Sequence, residues 1–157
     1  METLMTEVEP CHWQLHITTT QPVEFIDLSE PVQALVTGAG RQTGLINIQS
    51  LHTTAAIVLN EAEPLLLDDF ADLLERAAPC GAPYRHDDLG LRTVNVAPGE
   101  RVNGHAHCRA LLLAASACLN VIDGRLQLGR WQRVFLVELD GPRVRDLSIL
   151  LIGTGRP

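Results

Sequence analysis

Lysine is absent from this chain, and all twelve basic residues are arginine. That absence excludes chemistry through a lysine Schiff base and excludes the lysine-bearing phosphate loop. No two cysteines form a Cys-x-x-Cys pair; Cys11, Cys80, Cys108 and Cys118 are scattered. Such spacing suits free thiols packed as small apolar residues better than a disulfide framework or a sulfur-rich metal centre. No apolar run approaches the roughly 18 residues needed to span a bilayer. Residues 1–10 are acidic and lack an apolar stretch, so they read as a loose tail and not as a secretory signal. A cytoplasmic location is the expectation. No Gly-x-Ser-x-Gly elbow occurs, and the adjacency of His107 and Cys108 does not make a nucleophile and its base.

What remains is a composition for one folded domain, expected over residues 11–157. The chain has 157 residues, 46% of them hydrophobic and 20% charged, enough to bury a core without staples. The net charge of −7 argues against nucleic acid, which needs a basic face. Arginine still suits local recognition of phosphate or carboxylate, because the guanidinium fork binds both bidentately.

The patterning favours strands. His12 to Thr18 alternates, with Trp13, Leu15 and Ile17 on one face and His12, Gln14 and His16 on the other. Val23 to Ile26 extends as strand. Ser29 to Val36 predicts a short helix with Ser29 as N-cap and Pro31 in the first turn. Gly38-Ala39-Gly40 reads as a helix stop, since it follows a helix and lacks the nucleotide-binding spacing. Leu45 to Ser50 and Thr54 to Leu59 read as strands, with His52 at their junction. Pro64 to Ala78 predicts the clearest helix. Leu66, Phe70, Leu73, Leu74 and Ala77 share one face, while Asp68, Asp69, Asp72 and Glu75 form a solvated one.

Residues 79–103, rich in proline, glycine and charge, form a long candidate functional loop. A helix is expected over His105 to Ser116, its N-terminus open to an anion. Leu119 to Ile122 and Leu126 to Leu128 flank Asp123-Gly124, a hairpin turn signal. Val134 to Leu139 and Val144 to Ile152 are the last strands, with Gly141-Pro142 between them. The fold class is α+β, a mostly antiparallel sheet or sandwich with about three helices.

Four of the six histidines lie in three segments bearing other chemistry: His52-Thr53-Thr54, Tyr84-Arg85-His86 and His105-Ala106-His107. Three neutral imidazoles can hold Zn²⁺ or a similar ion with one position open. The alternative is a mixture of surface and hydrogen-bonded structural histidines. His105 and His107 share a face only if extended; in a helix they diverge. His12 and His16 read as solvated strand residues. Glu138 interrupts an apolar strand, so it is either paired with Arg143 or Arg145 across a hairpin or catalytic. Asn60 and Glu61 either cap a strand end or position substrate.

Taken in order, these segments resemble the YjbQ family, also called UPF0047, whose members are labelled secondary thiamine-phosphate synthase enzymes. The carriers are His52-Thr53-Thr54-Ala55, Asn60-Glu61, Asp68-Asp69, Tyr84-Arg85-His86, Ala106-His107, and Gly124-Arg125-Leu126-Gln127-Leu128-Gly129 with Trp131-Gln132. They run from about Thr18 to Gly153. The resemblance implies a mostly β fold, usually a homotrimer. It also implies a histidine site for a divalent metal or an anion, carried onto His52, His86 and His107. Glu138 matches a family carboxylate. The activity implied is the joining of a hydroxymethyl-pyrimidine diphosphate to a thiazole phosphate.

The chain departs from the family at Arg101-Val102-Asn103-Gly104-His105, where relatives often carry an Asp-Asp-Met-Pro-like run. It departs again at Ala114, a family glycine, and at Arg130, where a small hydroxyl residue is common. The reading is therefore an enzyme acting on a phosphorylated small molecule, with His52, His86 and His107 as metal ligands. Glu138, His86 and His107 are its catalytic candidates, and Thr53, Asn60, Arg130 and Arg143 its substrate contacts. The alternative is a non-catalytic module that binds an anionic metabolite or a metal. Neither nucleic acid nor membrane is an expected partner.

Overall fold

Alternation and turn chemistry set the strands. The computed structural model describes residues 10–155; the expected tail at 1–10 otherwise lies outside the described residues. In chain order the elements are β1 (Cys11–Thr18), β2 (Glu24–Asp27), α1 (Ser29–Ala39), β3 (Arg41–Ser50), β4 (Ala55–Glu61), α2 (Pro64–Ala77), α3 (Gly104–Leu111), β5 (Ser116–Ile122), β6 (Arg125–Leu126), β7 (Gln132–Glu138) and β8 (Val144–Gly155). One turn of 3₁₀ helix, Arg85–Asp87, interrupts the long loop between α2 and α3.

Two antiparallel sheets result, ordered β1-β8-β3-β5-β6 and β2-β7-β4. The main core lies between them. Ile46, Ile48, Leu147, Ile149 and Leu151 of the larger sheet meet Ile57, Val134 and Leu136 of the smaller, with Leu28, Val32 and Val36 from α1. The other face of the smaller sheet offers Ala56, Phe135 and Val137 to Leu74 of α2 and Ala106 of α3. β7 is therefore covered on both faces, which is why Val134–Val137 reads as an unbroken apolar run. Each fully buried side chain there contributes about 1.5–3 kcal/mol.

The architecture is the expected α+β class with antiparallel sheets and three α-helices among the described residues. Gly40 ends α1 with φ 64°, and Asp123 and Gly124 turn the β5–β6 hairpin with φ 51° and 72°, as left-handed turn positions require.

Local expectations change at several points: α1 runs on through Gly38 to Ala39, and β6 is Arg125–Leu126, not Leu126 to Leu128. Ser29 does not cap α1; its Oγ accepts from the Val134 N–H at 2.9 Å, while Asp27 takes the Ser29 N–H at 2.8 Å. α3 stops at Leu111, because Ser116 already pairs with Gln49 in β3. On α2, Leu73 and Ala77 face solvent, and Leu67 packs inward beside Leu74.

Candidate functional site: a histidine and arginine cleft

β4 starts, β7 ends and β8 starts at one pole of the stacked sheets. The loop from residue 79 to residue 103 wraps over this pole, and α3 begins against it. Together they line a cleft of about 680 Å³. His52 and Thr53 come from the β3–β4 junction, His86, Arg92, Glu100 and Arg101 from the loop, and His107 from α3. Asp140, Arg143 and Arg145 come from the turn between β7 and β8 and the start of β8. Four arginines thus line the cleft with Glu100 and Asp140, and one of them, Arg145, is paired with the buried Glu138 beneath it.

Its floor is an ion pair. Glu138 is 0% exposed and Arg145 2%. Arg145 donates from Nε to Glu138 Oε2 at 2.6 Å and from Nη2 to Oε1. The main-chain N–H groups of Leu139 and Asp140 donate to Oε1 at 2.8 and 2.7 Å, and the Thr19 hydroxyl donates to Oε2 at 3.0 Å. Burial alone would raise the Glu138 pKa. The hydrogen bonds from Arg145 and Asp140 and the Arg145 charge outweigh it, so Glu138 is held ionised below its usual range. Both carboxylate oxygens are occupied, and Glu138 does not line the cleft. The ion-pair alternative for Glu138 is the one the geometry supports, with Arg145 as partner and not Arg143.

Above that floor the His86 and His107 rings meet edge to face, centroids 4.5 Å apart. His107 has its pKa lowered by burial and then by the neighbouring His86. His52 is lowered by burial and then by Arg145. Arg92 ties the loop down, donating to Glu100 Oε1 at 2.7 Å and to the His86 and Asn95 carbonyls at 3.3 and 2.5 Å. Glu100 is lowered chiefly by that Arg92 hydrogen bond. Arg143 donates from Nε to the Asp140 carbonyl at 3.0 Å and from Nη2 to Asp140 Oδ2 at 2.5 Å. Asn103 Nδ2 donates to the same Oδ2 at 2.8 Å.

Several expected site residues lie elsewhere. Asn60 is five residues along β4 from Ala55, about 17 Å at strand rise, and its Oδ1 accepts the Glu61 N–H at 2.9 Å. Arg130 precedes β7, at the end away from Glu138, with Cζ 4.5 Å from the Trp131 ring centroid. His105 diverges from His107, as two positions on an α-helix turn about 200°. It stays near Tyr84 and lines no part of the cleft. Of the expected packed thiols, Cys80, Cys108 and Cys118 are exposed.

The open α3 N-terminus is also filled. Asp87 Oδ1 accepts the N–H groups of Asn103 and Gly104 at 3.0 and 2.8 Å, so the anion there is the chain's own. Among the described residues no three His, Cys, Asp or Glu side chains are arranged to hold a metal. His52 Nε2 already accepts the Asp146 N–H at 2.7 Å, and Arg92 Nη1 stands 3.3 Å from His86 Nε2. The three-histidine metal centre does not fit this arrangement.

Sequence reading missed Asp87, and it marked Gly104 only as part of a departure from the family, without its packing role. A Cβ on Gly104 would lie 2.5 Å from Tyr84 Cβ and 2.8 Å from its Cγ. Gly104→Ala therefore pushes the Tyr84–Asp87 segment off α3, at about 1–3 kcal/mol for overpacking. The expected result is a lower Tm and loss of the His86–His107 ring contact, read as a missing inter-ring NOE. An unchanged NOE would show that the segment is held by other means.

The model for the family described as "UPF0047 protein YjbQ-like" matches residues 13–154. A UPF0047 protein of Methanothermobacter thermautotrophicus is 36% identical over 140 residues, 89% of this chain and 90% of its own. One from Archaeoglobus fulgidus is 37% identical over 136 residues, 87% and 97% of the two chains. A crystal structure from Sulfolobus solfataricus, described as a YbjQ-like protein of unknown function, superposes with a TM-score of 0.83 at 30% identity, covering 94% of this chain and 99% of that one.

Proposed function

Since this chain belongs to the YjbQ-like UPF0047 family, we propose that its cleft binds the phosphate of a small anionic molecule and that the His86–His107 pair moves protons on it. One observation carries the reading. In a chain of net charge −7, Arg92, Arg101, Arg143 and three histidines converge on one cleft against Glu100 and Asp140, over the Arg145–Glu138 pair. A guanidinium beside imidazoles in a partly desolvated wall suits an oxyanion more than a neutral ligand. Thr53 and Arg143 line the cleft and are the proposed contacts, whereas Asn60 and Arg130 lie outside it. Glu138 acts by holding Arg145, not as the acid or base.

The test is a thermal-shift and calorimetric screen of phosphate, pyrophosphate and phosphate monoesters, followed by assays for released phosphate. His107→Ala should bind phosphate within a few-fold of wild type and lose turnover. Binding with no turnover in wild type would favour the non-catalytic module. Because burial lowers the His107 pKa, its neutral form persists below pH 6.5, the ordinary value. Turnover that uses it as a base stays flat at neutral pH and falls only below that value. An acid limb centred above 6.5 would remove His107 from the role. Coupling of the pyrimidine diphosphate to the thiazole phosphate is one reaction to assay within this proposal.

A second reading places a divalent metal on His86 and His107, drawing on the contact between those rings. Elemental analysis of wild type and His107→Ala separates the two: metal lost with His107 supports it. Self-association as a homotrimer is likewise proposed and is read by sedimentation. No helix among the described residues is long and apolar enough to cross a membrane.

A further inference from the structure

His52 is held by a group whose role cannot change. The Asp146 main-chain N–H lies 2.7 Å from His52 Nε2. A backbone amide can only donate there. Nε2 therefore presents its lone pair, and the single ring proton of the neutral imidazole sits on Nδ1. Turning the ring over would put a carbon against that N–H, so the contact selects the orientation as well as the tautomer.

The two segments are locked together. Leu51 N–H donates to the Asp146 carbonyl at 3.1 Å, and His52 N–H donates to Ser50 Oγ at 3.3 Å. On the far side Asp146 pairs with His16 of β1, and its Oδ1 lies 2.5 Å from His16 Nδ1. The amide is thus fixed from both neighbouring strands. Among the described residues, no hydrogen bond consumes the His52 Nδ1 proton, and His52 lines the cleft.

We infer that His52 is a hydrogen-bond donor to the bound anion through Nδ1, fixed in that tautomer by the Asp146 amide, and is not a metal ligand. The inference rests on the anion reading of the cleft. A metal on Nε2 would displace the amide hydrogen bond. A metal on Nδ1 would send the proton to Nε2, where it would face the amide N–H. The charged groups around the ring are Arg145, Arg143, Asp146 and Glu138. With Arg143 and Arg101 also donors, this wall takes an oxygen that only accepts, as a deprotonated phosphate does.

Two measurements test it. Long-range ¹H–¹⁵N correlation on labelled protein near pH 7.5, with His52 assigned by its loss in His52→Asn, should show the Nδ1-protonated pattern. An Nε2-protonated pattern overturns the inference. So does a shift of the His52 signals on adding ZnCl₂ to the wild type.

The second measurement is calorimetry with inorganic phosphate on His52→Asn and His52→Gln. An asparagine amide places an N–H where Nδ1–H stood, whereas a glutamine amide reaches the Nε2 position instead. His52→Asn should bind within about threefold of wild type and His52→Gln roughly tenfold or more weakly. Equal loss in both overturns the donor role. Wild-type protein that binds no phosphate overturns the anion reading and the donor role with it. The tautomer spectrum, which needs no ligand, distinguishes that failure from a wrong assignment of the ring.

Discussion

Glu138→Ala destabilises the fold by about 3–5 kcal/mol, the range for stranding one half of a buried ion pair. The variant leaves the Arg145 guanidinium 2% exposed with only the Thr54 carbonyl and hydroxyl, each at 3.1 Å, to accept from it. It also frees the Leu139 and Asp140 N–H groups and the Thr19 hydroxyl. At roughly 2–4 °C per kcal/mol for a domain near this size, Tm falls by something like 10 °C. Glu138→Leu combined with Arg145→Met should recover much of the loss, since an apolar pair removes both charges. A double-mutant cycle in urea measures this, and additive losses would show that the two side chains are not coupled.

The pH dependence has a definite sign. The folded pKa of Glu138 lies below its ordinary value of 4.5. Its contribution is therefore full above about pH 4.5 and is lost as pH falls through the folded value. His52 and His107 are also depressed in the fold, so they add loss of the same sign, beginning below pH 6.5. Stability measured from pH 7 to pH 3 should decline first through the histidines and then through Glu138, and Glu138→Gln should flatten the acidic part. A decline that Glu138→Gln leaves untouched would assign the acid lability to other carboxylates.

Much of this was legible in the sequence because it depended on neighbours along the chain. The Val134–Val137 run, the Asp123-Gly124 turn and the Pro64 helix start each state their local physics directly. The histidines at 52, 86 and 107 were legible as a set, and the structure brings them to one cleft. Asn60 and Arg130 were misplaced for a geometric reason. Antiparallel strands alternate their poles, so the start of β4 and the end of β7 are neighbours, while Asn60 and Arg130 belong to the opposite end. Closeness in sequence to His52 or to Trp131-Gln132 says nothing of the pole. Asp87 and Gly104 were illegible because their roles depend on the path of a loop with little regular structure. Glu138 was half legible: a carboxylate in an apolar strand had to have a partner, and only the register of β7 and β8 names Arg145.

Arg143→Gln should weaken phosphate binding by about 10- to 100-fold, the scale of a lost hydrogen bond to a charged group. Its backbone is pinned from both sides: the Thr19 hydroxyl accepts the Arg143 N–H at 2.8 Å, and the Arg143 carbonyl accepts the Thr19 N–H at 2.8 Å. Asp140 then orients the guanidinium through Nε and Nη2. The side chain remains 36% exposed at the cleft, so its charge meets solvent or ligand and little core is lost on removal. Asp140 keeps the Asn103 amide as donor, so Gln at position 143 strands no carboxylate, and Tm should move by only a few degrees. Arg143→Lys restores the charge but not the fork, and should recover only part of the affinity. The affinity of wild type should fall with added salt, and less steeply in Arg143→Gln. Calorimetry with inorganic phosphate at two ionic strengths measures both effects. Equal affinity in wild type and Arg143→Gln would show that Arg143 is not a contact of the bound anion.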